Sequence, residues 1–340
     1  MKLPWDEKDL KEKTKFTGVD FIPASQKIGR TDRSPHVLDE IAHYNPNMNT
    51  NWRQIPRLME EEMKYEVKSY PDGSKYVKVH TITSNMVFKI NTYEDLWILN
   101  QIHDVVKNIN SYVSVTIPNL IDAQADRRFK TNQPHGLKLV CEFLNSMTNF
   151  SFRIFHPHNA EVVEALLDRV EIIDNFEFID RILNYKITRF KEDMEGQVSN
   201  LILMSSDAGG FKPLMKLTDK LKWQGETFSA SKSRAYVDGE TKLVQMIDRQ
   251  DFEGKDILII DDICVYGGTF KGLSKMLKER NCGKLYLAVS HLTVQDLGED
   301  PVTNYFEKVF TTNSKFDRYT MRGIDKEVIY PENLEIINLF

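Results

Sequence analysis

The stretch from residue 257 to residue 269 decides the fold, and it reads Ile-Leu-Ile-Ile-Asp-Asp-Ile-Cys-Val-Tyr-Gly-Gly-Thr. Its first four residues, Ile257–Ile260, are all apolar, which predicts a strand buried on both faces of a sheet. After the two glycines, Phe270, Leu273 and Leu277 recur at helical spacing, and Gly283 is expected to close that helix. The stretch therefore predicts a buried strand, a tight loop and a helix.

The same alternation of strand and helix occurs in two runs that divide near residue 185. Alternating strands and helices predict mainly parallel sheets flanked by helices, so we expect an α/β protein with two such domains. The polar stretch from Ser229 to Glu240 is expected to be a mobile loop. The predicted parts are an N-terminal extension at 1–55, a first domain at 56–185, a second domain at 186–325 and a C-terminal tail at 326–340.

Composition restricts the class of protein. The chain has 340 residues, 41% of them hydrophobic, which suffices for sizeable cores, and its net charge of −5 gives no general attraction to nucleic acid or anionic membranes. Three widely spaced cysteines, Cys141, Cys264 and Cys282, are typical of a reducing compartment. The charged start predicts no signal peptide, and no apolar run approaches the roughly 18 residues of a membrane span. We expect a cytoplasmic protein without nucleic-acid or membrane partners.

Asp261 and Asp262 follow the buried strand at the end where open α/β sheets bind ligands. Two adjacent carboxylates suit the vicinal 2′ and 3′ hydroxyls of ribose, because each ionised acid accepts hydrogen bonds from a hydroxyl. Gly267, Gly268 and Thr269 then open a helix, whose N–H groups and dipole favour a phosphate. The loop thus predicts a site for a phosphorylated ribose; the alternative is a plain turn with a solvated acid pair.

With these residues the chain resembles the type I phosphoribosyltransferase superfamily, whose hallmark is such a loop. Val265 and Tyr266 depart from the family pattern, which usually has an acid or a small residue followed by Thr or Ser. The aromatic ring of Tyr266 is expected to contact the sugar phosphate, to stack on a base or to leave room for a larger group on the 5′-phosphate.

Further segments resemble the ribose-phosphate pyrophosphokinases, in matching order from about Tyr65 to Asn313. These enzymes carry a loop that contacts the adenine of ATP, a segment that flanks the nucleotide, a catalytic histidine, a serine-aspartate-glycine turn and a flexible catalytic loop. Their counterparts here are 69–73 (Ser-Tyr-Pro-Asp-Gly), 117–128, His158, 205–210 (Ser-Ser-Asp-Ala-Gly-Gly) and 232–234 (Lys-Ser-Arg).

The resemblance implies a role for each residue that matches a family motif. Some positions depart from the family: Gln124 and Ala125 replace Arg-Gln, Ser74 replaces Glu, and His156 stands where Asp is common. The resemblance also implies a homo-oligomer, because members of the family complete their ATP site between subunits. The implied sets are ATP binding by Tyr70, Asp72, Gln124, Asp126 and Arg127; catalysis by Lys232, Arg234 and His158; Mg²⁺ binding by His158 and Asp207; and ribose-phosphate binding by Asp261, Asp262, Tyr266, Gly267, Gly268 and Thr269.

Each residue also has a plainer interpretation taken alone. Asp207 could cap the next helix, Lys232 and Arg234 could lie in a solvated loop, and His158 could be packed or exposed without a function. Taken together, the residues predict an enzyme that transfers the diphosphoryl group of ATP to ribose 5-phosphate or to a derivative such as ADP-ribose. The alternatives are a phosphoribosyltransferase and a catalytically inactive regulatory homologue.

Overall fold

A computed structural model describes residues 63–186, 200–237, 240–296, 298–317, 321–322 and 328–340. The extension predicted at 1–55 lies outside these residues. No helix within them is long and apolar enough to cross a bilayer.

The part from residue 63 to residue 186 alternates strands and helices, as predicted. The hairpin of β1 and β2 is antiparallel, and a four-stranded sheet has the order β3-β4-β5-β6, with β3 and β4 parallel. Helix α1 begins with a capping box, in which Thr92 and Asp95 exchange side-chain-to-backbone hydrogen bonds. The elements are β1 (Lys64–Ser69), β2 (Lys75–Thr81), β3 (Asn85–Val87), α1 (Tyr93–Asn108), β4 (Val113–Ile117), α2 (Gly136–Asn145), β5 (Phe150–Phe155), α3 (Ala160–Leu166), β6 (Val170–Ile173), α4 (Phe176–Arg181) and a π-helical turn at Ile182–Lys186.

The part from residue 200 onward is built on a six-stranded sheet. Its order is β16-β13-β12-β11-β7-β8, and every neighbouring pair is parallel. The elements described there are β7 (Leu201–Ser205), α5 (Phe211–Leu221), β8 (Thr227–Ser229), β9 (Ser231–Val237), β10 (Glu240–Met246), β11 (Asp256–Cys264), α6 (Gly268–Glu279), β12 (Leu285–Leu292), a 3₁₀ turn at Val302–Tyr305, β13 (Lys308–Thr312), β14 (Met321–Arg322), β15 (Val328–Ile329) and β16 (Leu334–Ile337).

The central strand β11 is buried on both faces, as its four apolar residues predict. Ile257 and Ile259 join one core cluster with Phe270 and Leu273 of α6. Leu258 and Ile260 join a second cluster on the opposite face, with residues of α4 and α5. Because both faces of β11 are covered by helices, the sheet is a doubly covered α/β layer, and the predicted fold class is confirmed.

Strand β11 is longer than its apolar run. It continues through both acids to Cys264, because β12 is long enough to go on pairing with it: Asp261 lies opposite Val289, and Ile263 lies opposite His291. On its other side, pairing with β7 stops at Ile260. The acid pair therefore belongs to the strand and lies beyond the end of one of its two neighbours.

One predicted feature, the helix end at Gly283, is wrong. Most of the described part of Ser229 to Glu240 lies in strands, because β9 and β10 pair as an antiparallel hairpin that satisfies their backbone groups; the mobility of this stretch stays a prediction. Gly283 does not close α6, which ends at Glu279 and is followed by Asn281 in the left-handed region (φ +54°). The predicted tail at 326–340 supplies β16, the edge strand of the large sheet.

The chain divides into two compact units whose sequences interleave. The first comprises described residues up to Ile117, with Leu139–Arg153 and Leu167–Val170. The second comprises Pro118–Lys138, Ile154–Leu166 and the described residues from Glu171 onward. The segments that carry Asp126 and His158 thus belong to the same unit as the acid pair, while the predicted boundary near residue 185 stays a prediction.

Candidate functional site

The acid pair lies at an open position of the large sheet. Adjacent residues of a strand point to opposite faces, and the two carboxylates accordingly have different partners. The hydroxyl of Ser206 donates to Asp261 Oδ2, and His158 Nδ1 lies 2.5 Å from Asp262 Oδ2. The backbone N–H of Asp262 donates to Asp261 Oδ1 over 2.9 Å. One strand thus gathers a serine from the β7 turn and a histidine from the segment after β5.

The two carboxylates differ in acidity. Burial, reinforced by the charge of Asp262, raises the pKa of Asp261 to about 7. Burial opposes ionisation of Asp262 as well, but its hydrogen bonds with His158 and Asp261 hold the pKa of Asp262 below its usual range. The hydrogen bond with Asp262 in turn raises the pKa of His158 above its ordinary value. At neutral pH Asp262 is therefore ionised, and Asp261 is the carboxyl group that gains or loses a proton near that pH.

The glycine turn after β11 requires its first glycine. Gly267 has φ +75°, and a Cβ there would lie 2.6 Å from Val302 Cβ, so both the backbone conformation and the space exclude a side chain. Gly267 is the N-cap of α6, whose first turn contains Gly268 and Thr269 and carries no acidic residue. The first N–H groups of a helix have no partners within it, so this end can accept an anion. Tyr266 precedes the turn and is 63% exposed.

The segment after β5 is tied to the predicted nucleotide segment. Asn159 donates from Nδ2 to Asp126 Oδ2 over 2.9 Å, and its Oδ1 accepts the N–H of Val162 in the first turn of α3. Since His158 precedes Asn159 directly, Asp126 lies close to the His158–Asp262 contact. The structure therefore brings together Asp126, His158, Asp261 and Asp262, which the sequence places in three separate motifs.

A buried polar network lies behind this site, and the sequence analysis missed it. Ser290 and His291 lie near the end of β12, where the apolar residues before them predict an ordinary buried strand and no polar network. Their partners are His156, which precedes His158 by two residues, and Ser314, which follows β13. The available signal was a pair of polar residues directly after the apolar run Leu285–Val289.

Asp207 and His158 do not form a complete metal cage of protein ligands. Asp207 Oδ1 accepts the N–H of Gly210 over 3.2 Å, a contact within the turn that precedes α5; Gly210 is the N-cap of α5, and no side chain caps that helix. Within the described ranges, no group of three or more His, Cys, Asp or Glu side chains is placed to hold a metal. Mg²⁺ is usually held by one or two carboxylates together with substrate phosphates and water, so the residues present fit an ion that arrives with a nucleotide.

Tyr70 and Asp72 lie at the tip of the β1–β2 hairpin, in the first unit. The ring of Tyr70 packs against Tyr76 with centroids 4.5 Å apart. Asp72 Oδ1 accepts both the backbone N–H of Ser74, over 3.0 Å, and its hydroxyl, over 2.7 Å. Ser74, which departs from the family pattern, thus uses the carboxylate of Asp72 to close the turn.

The remaining predicted residues are Gln124, Arg127, Lys232 and Arg234. Gln124 and Arg127 are exposed, and the guanidinium of Arg127 lies 5.3 Å from the centroid of the exposed Phe129 ring. Lys232 and Arg234 are residues of strand β9, where their backbones lie opposite Gln245 and Leu243 of β10. Their catalytic role stays a prediction.

Comparisons with known proteins agree with this fold. The phosphoribosyl transferase domain family matches residues 175–321. A ribose-phosphate pyrophosphokinase of Sulfolobus acidocaldarius is 24% identical over 280 residues, which are 78% of this chain and 90% of that protein. A ribose-phosphate pyrophosphokinase of Thermoplasma volcanium is 23% identical over 283 residues, which are 81% of this chain and 92% of that protein.

A solved structure shows the same architecture over most of the chain. The phosphoribosylpyrophosphate synthetase of Mycobacterium smegmatis superposes with a TM-score of 0.59 and 17% identity. The superposition covers 82% of this chain and 86% of that protein. At this identity the likeness concerns the fold.

Proposed function

We propose that this chain, a divergent member of the ribose-phosphate pyrophosphokinase family, is an ATP-dependent diphosphokinase whose acceptor is a ribose 5-phosphate. The observation that carries the proposal is the contact between Asp262, on the strand of the acid loop, and His158, in the segment tied to Asp126. It joins the motif for a phosphorylated ribose to two motifs that a simple phosphoribosyltransferase does not need.

The acceptor would lie between the acid pair and the start of α6. Asp261 and Asp262 would accept hydrogen bonds from the 2′ and 3′ hydroxyls, while the N–H groups of Gly268 and Thr269 would bind the 5′-phosphate. Because Gly267 carries no side chain, the turn can pack against Val302 and still present these N–H groups. Sugar and phosphate would be held by parts of one strand-turn-helix unit.

His158 would act on the 1-hydroxyl of the acceptor. An ionised carboxylate only accepts hydrogen bonds, so the contact with Asp262 assigns the proton to Nδ1 of His158 and leaves Nε2 to face the substrate. The 1-oxygen attacks the β-phosphorus of ATP, its proton passes to Nε2 or to water, and the bond from the β-phosphorus to the α,β-bridging oxygen breaks. AMP leaves, and the diphosphate is joined to the sugar.

Positioning and charge neutralisation would supply most of the rate, as phosphoryl transfer requires. Asp207 and His158 would help to hold the Mg²⁺ that arrives with ATP, and the ion would supply positive charge to offset that of the phosphates. Lys232 and Arg234 on the β9–β10 hairpin would close over the transferring group. Gln124, Asp126 and Arg127 would contact the nucleotide, and Tyr70 and Asp72 of a second subunit would complete the ATP site in a cytoplasmic homo-oligomer.

Tyr266 favours a variant in which the acceptor is larger than ribose 5-phosphate. Its ring is 63% exposed beside the proposed phosphate site, where it could stack on a group attached to the 5′-phosphate, as in ADP-ribose. The Tyr266→Ser variant should then lose turnover of ADP-ribose while keeping that of ribose 5-phosphate. Equal or faster turnover of ribose 5-phosphate than of ADP-ribose by the unaltered protein would exclude the hypothesis of a larger acceptor.

Mass spectrometry of products tests the proposal. The protein is incubated with ATP, MgCl₂ and either ribose 5-phosphate or ADP-ribose, and we expect AMP together with an acceptor heavier by one diphosphoryl group. A phosphoribosyltransferase would release no AMP from this mixture. An inactive regulatory homologue would bind ATP without any turnover, and either result would refute the proposal.

A further inference from the structure

His291 occupies a buried position beneath the segment that carries His158. It is the penultimate residue of β12 and is 2% exposed. Its Nε2 lies 3.0 Å from the backbone carbonyl of His156, and its Nδ1 lies 2.9 Å from the hydroxyl of Ser314. A carbonyl only accepts, so Nε2 carries the proton and Nδ1 accepts from Ser314. Burial lowers the pKa of His291 to about 4, which keeps this neutral arrangement at physiological pH.

His156 is held in a conformation that most residues avoid. Its φ is +38°, in the left-handed region, where a side chain other than glycine costs free energy. Three contacts stabilise it: its N–H donates to Ile173 O over 2.7 Å, its Nδ1 lies 2.7 Å from Ser290 Oγ, and its carbonyl accepts from His291. This turn of the backbone sends the chain through Pro157 to His158.

The same His291 is part of the sheet that carries the acids. In the β11–β12 ladder it lies opposite Ile263, the residue after Asp262. His291 therefore connects two elements: its backbone pairs with the strand that carries Asp262, and its imidazole contacts the segment that carries His158. These are the two ends of the 2.5 Å contact between Nδ1 and Oδ2.

We propose that His291 is a positioning residue, which sets the distance between His158 and Asp262 through the carbonyl of His156. The proposal rests on the proposed function for the catalytic meaning of the His158–Asp262 pair. His291 is buried beneath that pair and acts through it, so its loss should affect the chemical step and leave substrate binding intact.

Two substitutions separate positioning from packing. His291→Leu keeps a comparable volume and removes both polar atoms, whereas His291→Gln retains an N–H donor that can reach the carbonyl of His156. We expect His291→Leu to lower kcat by about 100-fold, the scale of a misplacement of about 1 Å, with unchanged KM for ATP and ribose 5-phosphate. His291→Gln should recover most of kcat. A wild-type kcat in His291→Leu, or equal losses in both variants, would overturn the proposal.

A milder variant serves if His291→Leu does not fold. Ser314→Ala removes the hydroxyl that lies 2.9 Å from His291 Nδ1 and 3.2 Å from the carbonyl oxygen of Ser290, so it should orient His291 less well and lower kcat several-fold without a change in KM. An unaltered kcat in Ser314→Ala would then overturn the positioning role.

Crystal structures make the test independent of activity. In crystals of His291→Leu, the separation of His158 Nδ1 and Asp262 Oδ2 should exceed hydrogen-bond distance. Retention of the 2.5 Å contact would overturn the positioning role. Absence of AMP release by the unaltered protein would instead refute the proposed function. The two failures are thus distinguishable.

Discussion

His158 Nδ1 and Asp262 Oδ2 are 2.5 Å apart, although 104 residues separate them in the chain. Asp262 reaches this position because β11 continues past the end of β7 along β12. His158 reaches it because the left-handed turn at His156 redirects the chain after β5. Four predictions concern this acid pair, the glycine turn after it and the β9–β10 hairpin.

Asp262→Asn should lower the diphosphokinase rate by about 100-fold or more, the usual contribution of a positioned acid or base. The amide is uncharged, so the interaction that raises the pKa of His158 would be lost and that pKa should fall towards its ordinary value. Steady-state kinetics and NMR titration of the histidine ring measure the two effects. Asp219→Asn, on the exposed face of α5, is the matched control and should change neither.

Asp261→Asn should stabilise the ligand-free protein most at high pH. The pKa of Asp261 is about 7 in the folded protein against an ordinary value of 3.8, so between these values the folded state holds a proton that the unfolded chain releases. The stability of the unaltered protein therefore falls through this window as pH rises. The amide does not ionise, and the difference in Tm between variant and unaltered protein should grow from pH 4 to pH 8. A constant difference would contradict the raised pKa.

Gly267→Ala should weaken both the fold and the binding of ribose 5-phosphate. The new Cβ would meet Val302 at 2.6 Å, and overpacking of this kind costs about 1–3 kcal/mol in addition to about 1 kcal/mol for the left-handed backbone. Gly254→Ala is a close control, because Gly254 has φ +72° and a Cβ there would meet nothing within 4 Å. Denaturant unfolding and calorimetric titration with ribose 5-phosphate should show the loss of affinity in Gly267→Ala alone.

Lys232→Ala should lower turnover by about 100- to 1,000-fold while the protein stays folded, since removal of one group that stabilises transition-state charge has effects of this size. Circular dichroism checks the fold, and AMP release measures turnover. Lys242→Ala, on the partner strand of the same hairpin, is the control and should stay active. Unchanged AMP release in Lys232→Ala would remove that residue from the mechanism.

The fold class could be predicted because each element carries its own local pattern. The apolar run Ile257–Ile260 has to be buried on both faces, and the helical spacing of Phe270, Leu273 and Leu277 marks the face of α6 that packs against β11. The hairpin β9–β10 could not be predicted in this way, because β9 mixes polar and small residues without a clear period, and the strand forms through its pairing with β10.

The candidate site was predictable only in part, for a related reason. The acids and the glycine turn are adjacent in sequence, and their chemistry is visible in the residue types alone. Ser206, Ser290 and His291 gain their roles from partners far away in the sequence: Ser206 and Asp261 are 55 residues apart, and His156 is 134 residues from Ser290 and 135 from His291. No local pattern encodes such contacts. Helix capping was one of two open interpretations of Asp207, but its carboxylate closes the turn before α5 and does not cap that helix.

Residue order alone thus determined which chemical groups the chain carries and that they follow buried strands, because burial and periodicity are properties of neighbouring residues. Tertiary structure decided which of these groups meet. The lengths of β7, β11 and β12 fix where the acid pair emerges, and the backbone turn at His156 fixes where His158 points. A contact such as that of His158 with Asp262 depends on how separate elements pack, and packing is a property of the whole fold.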